Sequence, residues 1–413
     1  MTIGTVEKLY FSRDTKMYVK LGTFFWEIPV LDGFSFSQAS NSTEITINEA
    51  ENSAGESKRA RQLFNDSLAP AEFSFSTYMR PFLSQGSSFH SGVTGADDQA
   101  HHHAVEEVLW ALMATKTHGY TRASNAFNFT SFATDGTSLR IDFSDSNSSA
   151  LQEAEFYFVL GGTPNGATNA TITYQLKKAV LNEASIDFDI DGLATINWSG
   201  FASEIIQHQT HPATQADAIN SAIVNEAVIA TNNYIRNRAS SLALSSKSNT
   251  ATRTAFGGGT SGDAGKYSLT LTGGNITISN NITFLTPETI GSVNVPFAHV
   301  TGARSVSGSI NCYLGLDTTG SAANVGTSTD FFLDANTDAA RAIVTNQFEL
   351  DIDIGGGTAP NVLFDMDHVH MEIPQINVED TLQVEIPFHA LPSAVNQANE
   401  ITKIRYVGVT PDA

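Results

Sequence analysis

Cysteine is nearly missing. Cys312 is the single one in 413 residues, so no intrachain disulfide can form and folding does not depend on an oxidising compartment. Basic residues are also scarce. There are 22 Lys and Arg against 43 Asp and Glu, a net charge of −21. So acidic a chain does not grip nucleic acid tightly, because that affinity comes from cations that displace phosphate counterions. Long apolar runs are missing too. The opening stretch MTIGTVEKLYFSRDTK holds none, so no signal peptide, transmembrane segment or membrane partner is expected, and folding is expected in a cytoplasm. No G-x-S-x-G nucleophile motif occurs, and nothing points to an enzyme.

What is present suits a large apolar core. Hydrophobic residues make up 41% of the chain, with 26 Phe. The length exceeds one ordinary β-domain and fits two. The clearest element is Gln347 to Gly357, QFELDIDIGGG. Phe348, Leu350, Ile352 and Ile354 alternate with Glu349, Asp351 and Asp353, which gives a strand with one apolar and one acidic face. Asp disfavours strands, so the acidic face is expected to meet water. SIDFDIDG, Ser185 to Gly192, repeats the device with Asp187, Asp189 and Asp191 opposite Ile186, Phe188 and Ile190.

Along the chain, strands are expected at MYVKLGTFFWEIPV, around Phe34 to Ile47, and at Glu72 to Tyr78. Between the last two lies a long polar stretch, Asn48 to Ala69, with Glu49, Glu51 and Glu56 at one end and Lys58, Arg59 and Arg61 at the other. Hairpin loops of that length are uncommon and usually functional or disordered. Val105, Val108, Leu109, Leu112 and Met113 fall at helical spacing, with Asp97 and Asp98 as N-terminal signals and Gly119 as the stop. Further strands are expected at Asn125 to Phe132, Ser138 to Phe143, Ala154 to Leu160, Ala170 to Asn182 and Ala184 to Phe201.

The second half echoes the first in the same order. LTGGNITISNNITFLTP echoes VLDGFSFSQASNSTEIT, ARSVSGSINCYL echoes AEFSFSTYMRP, and the run from Asn361 echoes the run from Thr173. Asp330 to Val344 takes the place of the helix. Shared order suggests a tandem duplication. The expected organisation is a first domain over 1–202, a connector over 203–232 and a second domain over 233–413.

This pattern of strand, long Glu- and Lys-rich loop, strand, helix and late strand ending in Gly-Gly resembles the bacteriophage tail tube proteins, the major tail subunits. The resemblance covers nearly the whole chain apart from the connector. It implies a mainly β (α+β) fold: two tandem tail-tube-like β-sandwich or barrel domains, each flanked by a helix. It also implies a structural virion protein with no cofactor, which forms pseudo-hexameric, trimeric rings stacked into a tube. Implied partners are further copies of itself, the tape measure protein, the tail terminator and the distal tail or baseplate proteins. DNA would pass without sequence-specific binding. In that setting Asp187, Asp189, Asp191, Glu349, Asp351 and Asp353 either line the lumen or form solvated outer faces. The loop carrying Glu49, Glu51, Glu56, Lys58, Arg59 and Arg61 is either an inter-ring arm, which its length favours, or a solvated hairpin tip. A surface β-protein that binds carbohydrate or a host receptor is the alternative.

Other motifs carry less. Three successive histidines, His101 to His103, diverge around a helix and suit a structural role better than a metal. His368 and His370 share a strand face but lack a third ligand. GTSGDAGK fails as a phosphate loop, because Thr260 stands where a Gly is needed and Tyr267 follows Lys266.

Overall fold

The structure is a computed structural model. It describes residues 15–22, 24–31, 33–45, 53–55, 62–83, 101–114, 120–121, 126–127, 132–134, 137–143, 151–161, 172–208, 229–246, 266–267, 269–286, 290, 294–315, 325–339, 348–378 and 381–412. The fold is mainly β, and the described residues include two α-helices, Glu107–Ala114 and Ser328–Ala339.

Eight lanes of antiparallel strand run in one continuous sheet through both halves. The first four, in spatial order, are Ser35–Ser37, Ala71–Tyr78, Thr195–Ala202 and the C-terminal part of Ile172–Asp189. That long strand then pairs with Leu271–Ser279, which is followed by Ser305–Tyr313 and Leu382–Ala390. The eighth lane holds the end of Asn361–Met371 and then Gln375–Val378, both paired with Leu382–Ala390. Alternate residues face inward, as period-2 geometry requires. The burial pattern of Ala71–Tyr78, buried at Ala71, Phe73, Phe75 and Thr77, is typical.

A second layer lies behind. In the first half its order is Phe24–Ile28, Lys16–Leu21, Ala154–Leu160, the N-terminal part of Ile172–Asp189, and Glu204–His208. In the second half it is Lys266–Tyr267, Ser241–Ser246, Phe348–Ile354, Asn361–Met371 and Lys403–Val407. Each long strand therefore serves both layers. Ile172–Asp189 turns from one to the other near Lys178, which has φ 51°, and is bulged between Leu181 and Glu183. The sequence suggests a strand break at Glu183. The structure has a bulge there, which bends a strand without ending it.

Between the layers lies one core shared by both halves, with Phe73, Phe156, Trp198, Ile352, Phe364 and Phe388 all buried. The helix Glu107–Ala114 is buried on every side. It begins later than the sequence predicts, since His102–Ala104 forms a strand with Pro81–Leu83. Trp110 Nε1 donates to the Tyr406 hydroxyl at 2.6 Å, and its ring meets Trp198 edge-on at 4.9 Å. Burial raises the nearby Glu106 carboxyl to about 7, against hydrogen bonds from Tyr406 and the Arg80 amide.

The halves are stitched in several places. The first-half strand Leu139–Ile141 pairs with Lys403–Val407 near the end of the chain. Arg80 is buried over the Tyr234 ring and donates to Ala230 O and Asn233 Oδ1, both at 3.0 Å. Arg304 is buried at the seam. Its guanidinium donates to Phe143 O at 3.2 Å and Ala114 O at 3.4 Å in the first half, and to Asn280 Oδ1 at 3.3 Å and Ala398 O at 3.4 Å in the second. Glu400 lies 3.5 Å away, equally buried. Burial lowers the Arg304 pKa and the Glu400 charge opposes that shift.

Among the two-stranded sheets outside the large one, two are longer hairpins. Ser40–Ile45 pairs with Gln62–Leu68, and Ile282–Leu285 with Ala298–Thr301. Part of the long polar stretch is thus an exposed strand. The loop residues Glu49, Glu51, Glu56, Lys58, Arg59 and Arg61 lie outside the described residues. The first residues of the expected connector, Glu204–His208, are a strand of the first-half layer.

Candidate functional site

The exposed face of the eight-lane sheet is built from every second residue of each strand. Counted along the registers, one row crosses Ser35, Ser74, Ser199, Glu183, Ser279 and Ser305, and the next crosses Ser76, Asn197, Ser185, Thr277, Ser307 and His389. These short polar groups bond across strands. Ser35 and Ser74 hydroxyls are 2.9 Å apart, Ser76 Oγ donates to Asn197 Oδ1 at 2.6 Å, and the Ser185 and Thr277 hydroxyls are 3.3 Å apart. Asp187 and Asp189 stand exposed in the middle of the sheet. Asn197 Nδ2 reaches Asp187 Oδ2 at 3.5 Å. Glu72, Glu183, Glu372 and Glu385 complete the set of carboxylates. Among the described residues of these lanes the face carries no Lys or Arg.

Asp191 lies just beyond the strand end, in the turn with Gly192 at φ 106°, and pairs with Arg238 at 2.8 Å. Ile190 falls in the same turn and is exposed, where the sequence placed it on the apolar face.

The other predicted acidic strand is elsewhere. Phe348–Ile354 shows strict alternation, with every apolar residue buried, but it belongs to the second layer. Its acidic face is half-buried instead of facing open water, because the neighbouring strands lay charged side chains across it. Asp351 stands opposite Asp365, and Lys403 reaches Asp365 at 2.6 Å. Burial, with the Asp365 and Glu349 charges adding, raises Asp351 to about 6. Burial does the same to Asp353, opposed by Arg405. The two predicted acidic groups therefore do not share a surface.

His102 and His103 are buried and bonded within the fold. His102 Nδ1 accepts from the Gly408 amide at 2.9 Å, and His103 Nδ1 lies 2.9 Å from Glu107 Oε2. Among the described residues no group of three ligating side chains could hold a metal. No helix among them is long and apolar enough to cross a membrane.

The sheet face was partly missed in the sequence. Its acidic members at Asp187 and Asp189 were found, but the rows of Ser, Thr and Asn were not. The signal was there: FSFS, EFSFST and SVSGSIN each place a small polar residue at every second position.

The sheet thus presents one hydroxyl- and carboxylate-lined face that runs through both halves. The family model described as phage tail tube protein matches residues 71–390. This chain belongs to the phage tail tube proteins. The tube protein is 28% identical over 380 residues to tail tube protein pb6 of Escherichia phage T5, covering 91% of this chain and 69% of that one. A cryo-EM structure of an extracellular contractile injection system, the PVC sheath/tube terminator in its extended state, aligns with 49% of this chain and 99% of its own. Identity there is 12% and the TM-score 0.26, too low to add to the assignment. The tube protein is thus a structural component of the virion, not an enzyme.

Proposed function

We propose that the polar face of the eight-lane sheet is the inner wall of a ring of three chains, and that such rings stack into a hollow tube through which DNA slides. The observation that carries this reading is a face whose fixed charges are all negative, on a sheet that runs from one side of the chain to the other and has, among the described residues, an unpaired lane at each end. DNA carries about one negative charge per 1.7 Å. Lys and Arg on the wall would form phosphate contacts and hold the duplex, whereas carboxylates repel it and hydroxyls give it nothing to grip. Asp187 and Asp189 are the central wall charges in this reading. Glu349, Asp351 and Asp353 belong to the outer layer.

Strand count supports three chains. Twenty-four strands spaced about 4.8 Å and tilted about 40° close at a backbone radius of roughly 24 Å, which clears a duplex. Two chains would give sixteen, the count of a porin with its narrow solute channel.

Two tandem copies of one unit fit the strand orders. Numbering strands within each half, the lanes of the large sheet run in the same succession, and the second layers also correspond lane for lane. The loop between Ile45 and Gln62 is the proposed arm to the neighbouring ring. Proposed partners besides further copies are the tape measure protein, the tail terminator and the distal tail or baseplate proteins.

Negative-stain imaging of the purified protein tests the ring directly. Annuli or stacked tubes with threefold averages are expected, and a population of small particles at all concentrations would overturn the reading. In assembled phage, Asp187→Lys with Asp189→Lys should slow DNA ejection. Unchanged ejection kinetics would remove these residues from the wall.

A further inference from the structure

The seam inside the chain gives a template for the seam between chains. Ile172–Asp189 is the last lane of the first four, and Leu271–Ser279 is the first lane of the second four. In the same succession Gln375–Val378 closes the second four and Ser35–Ser37 opens the first. Phe36, Phe73 and Gly200 lie opposite one another in the first half, as Ile276, Gly308 and Phe388 do in the second. Counting from that row puts Ile376 in the place of Ile186 and Val378 in the place of Phe188.

Burial separates these counterparts. Ile186 and Phe188 are 0% and 3% exposed, covered by the strand beyond them, while Ile376 and Val378 are 44% and 79% exposed. All four lie on the core side of the sheet, since Ile186 and Ile376 stand in register with the buried Ile196 and Val384 and Phe188 and Val378 follow two residues on. At the other end Phe34 and Phe36 are only partly buried, whereas Ile276 is fully buried. Apolar side chains left bare at an unpaired sheet edge mark a site for another strand.

We infer that Gln375–Val378 of one chain pairs antiparallel with Ser35–Ser37 of a second copy, in the register Gln375 opposite Ser37, Ile376 opposite Phe36 and Asn377 opposite Ser35. That register transfers the internal pairs Ser185 with Thr277, Ile186 with Ile276 and Asp187 with Asn275. Val378 then meets Phe34, and the polar rows continue without interruption from chain to chain. A head-to-tail contact of this kind generates a closed ring if its rotation closes. The inference rests on the proposed ring and adds its seam. The seam lacks one device of the internal one. Arg304 stands two residues before Val306, and the matching position before Ala71 is Ala69, so the join between chains has no buried arginine at that place.

Cross-linking tests the register. The sole native cysteine, Cys312, is buried. In the Ser37→Cys/Gln375→Cys variant the two thiols lie at opposite ends of the sheet within one chain, about seven lane spacings of about 4.8 Å apart, so any disulfide between them joins two chains. The internal counterparts, Ser185 and Thr277, touch through their hydroxyls at 3.3 Å, which is within disulfide reach. Oxidation of imaged annuli should give covalent dimers and trimers and nothing larger. The Ser35→Cys/Gln375→Cys variant, displaced by two residues along the strand, should link about tenfold less, because Cα atoms beyond ~7 Å cannot be bridged. As a second variant, Val378→Asp should abolish annuli while leaving the circular dichroism of the chain unchanged. Annuli without the 37–375 link, stronger linking at 35–375, or annuli persisting in Val378→Asp would each overturn the register and leave the ring standing. Wild-type protein that forms no annuli would overturn the ring reading and this seam with it.

Discussion

Replacing Arg304 by Met should unlock the two halves of the chain. The Arg304 side chain is 7% exposed and that of Glu400 9%, with the charged groups 3.5 Å apart. Removing one member of a buried pair leaves an uncompensated charge, which costs about 3–5 kcal/mol. Carbonyls of Ala114, Phe143 and Ala398 also lose a donor, at about 0.5–1.5 kcal/mol each where water cannot replace it. These terms overlap, since all pass through one side chain. The expected total is about 4 kcal/mol, a large share of the stability of a typical domain. Adding Glu400→Gln removes the orphaned charge and should return roughly half of the loss. The assay is urea unfolding of unassembled chains, followed by tryptophan fluorescence and by far-ultraviolet circular dichroism. Noncoincident transitions are expected for Arg304→Met if the seam opens before the layers do. A loss below about 1 kcal/mol, or no recovery in the double variant, would refute the view that this arginine holds the seam.

Three further outcomes follow from the geometry. Asp351 and Asp353 titrate near 6 when folded against 3.8 for an ordinary aspartate, so the folded state binds more protons between these values and stability falls as pH rises through about 4 to 6. At 1.36 kcal/mol per pH unit the ceiling is about 3 kcal/mol each, and half-exposure with screening cuts this to about 1. The Asp351→Asn/Asp353→Asn variant should therefore exceed wild type in urea midpoint at pH 7 and match it at pH 4, and a pH-independent difference would count against the assignment. A Cβ on Gly308 would lie 2.0 Å from Asn275 O and 2.8 Å from the Phe388 ring, so Gly308→Ala should cost about 3 kcal/mol or more, read as lost soluble yield, with wild-type yield as the refuting result. Trp110→Phe removes the donor to the buried Tyr406 hydroxyl and should cost about 2 kcal/mol. An unchanged unfolding midpoint would show that bond to be dispensable.

Local alternation made the strands readable from sequence alone. The apolar residues of Phe348–Ile354 are all buried, as its alternation predicts. Three things were hidden because they depend on partners distant in sequence. The sequence breaks the strand at Glu183, yet the chain only bulges there, since pairing with both Thr195–Ala202 and Leu271–Ser279 carries the strand through. The two acidic strands looked alike, yet one faces solvent and the other lies under cross-strand charges from Asp365 and Lys403. Arg80 and Arg304 are buried cations that no local pattern marks. Their burial is decided by carbonyls from the opposite half, which no local window contains.

The pairing of Leu139–Ile141 with Lys403–Val407 has a consequence during synthesis. About 260 residues separate the partners, so at about 5–20 residues per second the earlier strand waits roughly 13–50 s for the later one to leave the ribosome. Until then Tyr406 is not there to receive the Trp110 indole proton, and one flank of the nascent first half stays unfinished. A truncated translation product stays in that condition permanently. Completion of the first half is thus conditional on synthesis through Val407.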